Sequence, residues 1–153
     1  MSNPTPLDLN ALNVKTFSLV TVLTSIWINI SEVFRYFILV RPETQTTLAA
    51  IPNVADMNWG IFAIWGVWDT VLTAFVVLVT WLWLRLDPAA SRIQLAMTAG
   101  STAWLLFLLF WVAQANMGLA RWAFVPVPLV LSWLEMVVGA YIAAALLNKP
   151  AIE

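Results

Sequence analysis

Trp65-Gly66-Val67-Trp68-Asp69-Thr70-Val71-Leu72-Thr73 lies in the middle of an apolar run from about Trp59 to Leu86, long enough to cross a bilayer. Its aspartate dictates how the chain must fold. A carboxylate at the centre of a membrane helix costs about 3 kcal/mol on insertion scales, so it is expected to face a polar interior and to mark a functional site.

The rest of the composition supports a membrane setting. Of 153 residues, 62% are hydrophobic and 10% charged, against roughly 25% charged in soluble domains. The length predicts one all-α domain over residues 1–153: four transmembrane helices in a single bundle with short connections and no separate soluble domain. Histidine and cysteine are both absent, which removes the usual ligands of zinc, copper, haem iron and iron–sulfur clusters and the usual nucleophilic dyads. No metal and no cofactor are therefore expected, and any chemistry falls to carboxylates, amides, hydroxyls, Arg and Trp. A net charge of −1 without a basic run gives no footprint for nucleic acid.

Proline and polar clusters set the expected boundaries. Residues 1–13 read as a short polar lead without the cationic start of a signal peptide. The first helix is predicted over about 15–40 and is expected to close at Arg41-Pro42, because proline cannot continue it and restricts the residue before it. A Thr-rich outer loop over 41–57 follows, a candidate lid. The second helix is predicted over 58–86, ending at Asp87-Pro88, the third over about 91–120, and the fourth over 126–147 after the prolines Pro126 and Pro128. Lys15, Arg85, Arg92 and Lys149 fall on one side and Arg41 and Arg121 on the other, so both termini are expected in the cytoplasm. A weak internal repeat accompanies this pattern. An offset of 84 sets Trp27 on Trp111 and Glu32 on Asn116, and an offset of 66 sets Asp69 on Glu135, as two duplicated hairpins would.

Helical spacing gathers Ser18, Thr21, Ser25, Asn29, Glu32 and Tyr36 on one face of the first helix. The second helix contributes Trp65, Asp69 and Thr73 at similar spacing, the third Asn116, and the fourth Ser132, Glu135 and Gly139. At 1.5 Å per residue, Glu32 lies about 13 Å below Arg41, Asp69 about 16 Å below Asn58 and Glu135 about 15 Å below Val125, with Asn116 nearer the surface at about 8 Å. Three acids from three helices thus fall at one level in the outer half of the bilayer. Glu32, Asp69 and Glu135 against Arg35 alone leave an excess of negative charge, and such a cluster holds a proton or a cation.

Each residue also has a structural reading. Glu32 and Arg35, three residues apart, can neutralise one another. Asp69 and Glu135 can serve as interhelical hydrogen-bonding groups, and Asn29 and Asn116 as glue between helices. Trp59, Trp81, Trp83 and Trp122 fit an interfacial aromatic belt, whereas Trp65, one turn from Asp69, can line a pocket or stack on a cation.

The expected function is a small membrane enzyme using Asp69, Glu32 and Glu135 for acid/base chemistry, such as isomerisation, cyclisation or epoxide opening, on a lipophilic substrate contacted by Asn29, Trp65, Asn116, Arg35 and Tyr36. A proton- or cation-coupled small-molecule transporter, with the chain as a homo-oligomer, is the first alternative. An accessory subunit of a membrane complex is the second. Membrane lipids are the expected surroundings in every case.

Overall fold

The computed structural model describes residues 13–49, 51 and 57–147. The polar lead before residue 13, most of the segment 50–56 and Lys149 lie outside the described residues. The elements are α1 (Val14–Arg35), a π-helical turn (Tyr36–Val40), α2 (Arg41–Thr47), α3 (Trp59–Leu86), α4 (Arg92–Asn116) and α5 (Pro126–Leu147). The first three run on as one rod, so the chain has four helices long and apolar enough to cross a membrane, Val14–Thr47, Trp59–Leu86, Arg92–Asn116 and Pro126–Leu147. They form a four-helix membrane bundle.

Local chemistry sets the helix ends. Asn13 accepts from the Lys15 N–H and Asn58 from the Ile61 N–H at 3.1 Å, each satisfying a donor that the first turn leaves without a helical partner. Ser91 and Gln94 close a reciprocal capping box at the start of α4. The expected extension of this helix to Ala120 does not occur. Gly118 takes φ 74°, with the Leu119 N–H on the Gln114 carbonyl and the Gly118 N–H on the Ala115 carbonyl, the paired bonds of a Schellman end.

The expected stop at Arg41-Pro42 is also overturned, since helix continues to Thr47. In a regular helix the Pro42 ring would collide with the carbonyl four residues back. The π-helical turn just before it changes that register, and the Arg41 N–H reaches the Tyr36 carbonyl five residues back. Pro42 then sits in the first turn of α2, where its missing N–H costs nothing. The first part of the predicted lid is therefore a rigid continuation of the first span.

α4 and α5 make the most extensive contact; α1 packs on α3 and α5, and α3 on α4 and α5. The packing stripes are built mostly from small residues, Ala96, Ala99, Gly100 and Ala103 on α4 against Met136 and Ala140 on α5, all buried. Small residues let backbones approach where the surrounding lipid is as apolar as the core. At Gly100 the approach is closest: a Cβ there would lie 2.6 Å from Val137 Cα and 2.9 Å from the Met136 carbonyl oxygen. Leu19, Ile26, Ile30, Phe34, Leu106 and Leu109 are exposed on the outside of the bundle, as a lipid-facing surface requires.

Because the atoms opposing Gly100 are backbone, no rotamer change can relieve a side chain placed there. Gly100→Ala is expected to force α4 from α5 and to destabilise the bundle by about 1–3 kcal/mol. A lowered melting temperature in mild detergent, followed by tryptophan fluorescence, checks this.

Candidate functional site

Arg35 ends α1 where the π-helical turn begins, and it is 4% exposed. One guanidinium nitrogen bonds Glu32, one turn earlier. Its Nε faces Glu135 Oε2 on α5 at 3.8 Å, beyond hydrogen-bonding distance. The guanidinium carbon lies 5.4 Å from the centre of the Phe107 ring on α4. Asp69 on α3 is within electrostatic reach of both Glu32 and Arg35. α1, α4 and α5 thus each place a side chain at one arginine, and Asp69 of α3 lies within reach of its charge.

Glu135 is 1% exposed. Both of its carboxyl oxygens are buried without a hydrogen bond, as is Arg35 Nε. The Ser31 and Glu32 side chains lie alongside this carboxyl but do not meet it at hydrogen-bonding geometry. Neighbouring contacts hold α5 at this register. The Trp27 indole donates to the Glu135 backbone carbonyl at 3.2 Å, and one turn further Ile28 fills the space above Gly139, its Cδ1 3.0 Å from where a Cβ would stand. The position of Glu135 is therefore set by backbone and packing as well as by its long ion contact with Arg35.

The predicted polar face of α1 is rotated from its expected setting. Thr21, Thr24, Ile28 and Arg35 form the buried centre, Ser25, Asn29, Glu32 and Tyr36 are half-buried beside it, and Ser18 is exposed. Asn29 donates to the Ser25 carbonyl at 2.8 Å, and its Oδ1 is 3.9 Å from where a Gly66 Cβ would stand. Asp69 is half-buried, and its backbone carbonyl accepts from the Thr73 hydroxyl at 2.7 Å. Trp65 is 52% exposed and packs on Tyr36 with ring centres 6.4 Å apart, at the edge of the cluster.

Asn116 does not join the acids. It is exposed at the last residue of α4, because the Schellman turn ends the helix there. Phe107, nine residues earlier, is the α4 side chain at the cluster, and nothing in its spacing distinguished it from core. The Glu43–Arg121 pair was missed as well. Both guanidinium nitrogens that face Glu43 bond its carboxylate, the Arg121 Nε at 2.6 Å, tying α2 to the α4–α5 connection. Seeing this pair required α2 to be a helix.

Several tryptophans act as interhelical ties. Trp104 donates to the Leu129 carbonyl at 2.8 Å, Trp133 to the Ser101 hydroxyl at 3.0 Å and Trp83 to the Thr102 hydroxyl at 3.2 Å. Trp59 and Trp122 are exposed as a belt would have them, but Trp81 is buried beneath the Arg85 guanidinium, 5.5 Å from its ring centre. Trp81 and Trp83, near the end of α3, thus serve packing and hydrogen bonding within the bundle.

Among the described residues no group of three or more acids is placed to hold a metal ion. A shallow groove of about 430 Å³ runs along α4 past Thr98, Ser101 and Thr102 and is lined by none of the acids. No protein-family model matches the chain, and no curated protein or solved structure matches it. What this site can do must be argued from its own chemistry: it combines one sealed acid, one acid bound to arginine and one half-buried acid.

The ion contacts predict an asymmetry in stability. Arg35→Met leaves two carboxylates without their counter-charge and should cost about 3–5 kcal/mol, whereas Glu135→Met keeps the Arg35–Glu32 pair and should stay within about 1 kcal/mol of the parent. Melting temperatures of the two variants in one detergent check the order.

Proposed function

We propose that the protein is a small membrane enzyme that uses its acid cluster to move a proton on a lipophilic substrate. The observation that carries this reading is the arrangement of three acids around one arginine, in which the half-buried Asp69 has no ion pair among the described residues. Asp69 serves as the proton donor on the side open to an apolar molecule. Glu32, bound to Arg35, stabilises positive charge that develops on the substrate or accepts the returning proton. Trp65 and Tyr36 supply an aromatic wall beside the donor, suited to a cationic transition state. Asn29 takes the orienting role expected of Asn116.

The matching experiment needs no prior substrate. Protein in nanodiscs is incubated in D₂O, and in a parallel sample in ¹⁸O-water, with the lipophilic extract of its source cells, and the extract is surveyed by mass spectrometry. Carbon-bound deuterium marks isomerisation or cyclisation, and one added heavy oxygen marks epoxide opening. Asp69→Asn should reduce the labelled product by about 100-fold or more, the usual size of a lost general acid. Unchanged product in Asp69→Asn, Glu32→Gln and Glu135→Gln alike would defeat the reading.

Transport is the second reading, and the Glu135 carboxyl, buried among the spans without a hydrogen bond, favours it, since intramembrane acids also serve proton relays. Proteoliposomes that carry protons or organic cations only when Asp69 is intact would decide for it.

A further inference from the structure

We propose that α2 is a latched arm: the Glu43–Arg121 pair holds it over the loop end of the bundle, and release of that pair lets water reach the apolar plug that covers Arg35. The sparse packing of the arm carries this. The π-helical turn Tyr36–Val40 buries no side chain, and α2 buries only Glu43. Neither element packs broadly on α3, α4 or α5. Among the described residues, the hydrogen bonds of α2 other than those to Arg121 stay within the rod and the residues that follow it. A helix that buries one side chain gains little from apolar burial, so its place depends on what that side chain binds.

Glu43 accepts two bonds from Arg121, and the two side chains are 7% and 68% exposed. A forked contact of this kind fixes direction as well as distance. Because Arg121 stands largely in water, solvent competes for its guanidinium, and the pair can break and re-form. The backbone of the same residue builds what the arm covers. The Arg121 carbonyl accepts from the Phe124 N–H at 2.9 Å and the Val125 N–H at 3.3 Å, in the turn that brings both side chains to the cluster of Trp111, Ala115 and Ala120. Val40 packs on this cluster from the rod, and Phe107 joins it to the Arg35 guanidinium. The cluster is thus the plug between the loop end and Arg35.

The π-helical turn supplies the hinge. Its Tyr36 and Phe37 rings lie against Trp65 and Phe62 of α3, with ring centres 6.4 and 6.5 Å apart. The turn therefore stays anchored on α3 while α2 swings from the α4–α5 connection, and a few residues at the boundary between two elements suffice to absorb such a swing. The arm follows from packing alone; only its use, admitting water to the acids, rests on the acid/base reading.

The chain has no cysteine, so one introduced thiol reports on the plug. Ala115→Cys, at a position 5% exposed, is treated in nanodiscs with trimethylammonioethyl methanethiosulfonate, a charged reagent that does not enter lipid. Labelling should be slow in the otherwise unchanged chain and about tenfold faster or more with Arg121→Gln, since it follows the population of the open form. Glu43→Gln breaks the pair from the other side and should act alike, which keeps the test intact if one variant does not fold. Ala143→Cys, 0% exposed in the cluster with Val20 and Val77, should stay protected throughout. Ala115→Cys labelled at one rate with and without the pair, or already fast with it, overturns the latch. So does an equal acceleration at Ala143→Cys, which marks loosening of the whole bundle. The labelling measures no turnover, so the latch can fail while deuterium incorporation stands, and the reverse.

Discussion

The contact between Arg35 and Glu32 is the condition for everything at the centre of this bundle. A lone carboxylate or guanidinium at this depth would be expelled or neutralised. Paired within one turn of α1, the two share the apolar interior as one unit that needs no other helix to form. The guanidinium has capacity beyond Glu32, and its Nε and face are what Glu135 and Phe107 approach from α5 and α4. Thus a local pair on the first helix provides the charge that lets acids on two further helices lie nearby.

That pair sits at a transition in backbone geometry. Arg35 is the last residue of α1, and the π-helical turn Tyr36–Val40 follows directly. The turn is required by Pro42, and it carries Val40 onto the apolar cluster of Trp111, Ala115, Ala120 and Val125 at the loop end of the bundle. Glu43, one further turn along, is then positioned to meet Arg121. A single proline therefore shapes the backbone that follows Arg35 and the tie that closes the bundle above it. π-helical turns recur at functional sites because they re-aim side chains without ending a helix.

The four spans were legible because length and apolarity alone identify them, and three of the four groups around Arg35 were legible because intramembrane charge is rare. Glu32, Asp69 and Glu135 stand out in any helix that crosses a membrane. Phe107 does not, since a phenylalanine in a membrane helix carries no mark of facing a cation. Asn116 was misplaced for a related reason: counting from a helix presumed to end at Ala120 set it deeper than the Gly118 turn allows. Pro42 misled in the same way, because a proline in a helix signals a stop unless a π-helical turn absorbs it. Glu32, counted from Arg41 within a helix that runs on to Thr47, still meets Arg35 because the two lie on one turn, whereas Asn116 depended on a helix end that Gly118 moved.

The two halves of the bundle differ in how firmly they hold the site. α4 and α5 meet backbone to backbone at Gly100 and are stapled by Trp104 and Trp133, so Phe107 and Glu135 belong to a rigid pair. α1 and α3 meet at Gly66, where a Cβ would find only Asn29 Oδ1 within 4 Å, at 3.9 Å, and the side chains flanking it, Trp65 and Asp69, are exposed or half-buried. The sealed acid therefore stands on the stiff side and the reachable acid on the open side. Asp69 and the Tyr36–Trp65 rings are the accessible members of the cluster, and Arg35 and Glu135 are its buried ones. Under the acid/base reading proposed above, such an order suits a site where the group that touches the substrate must yield, while the groups that hold charge must stay fixed.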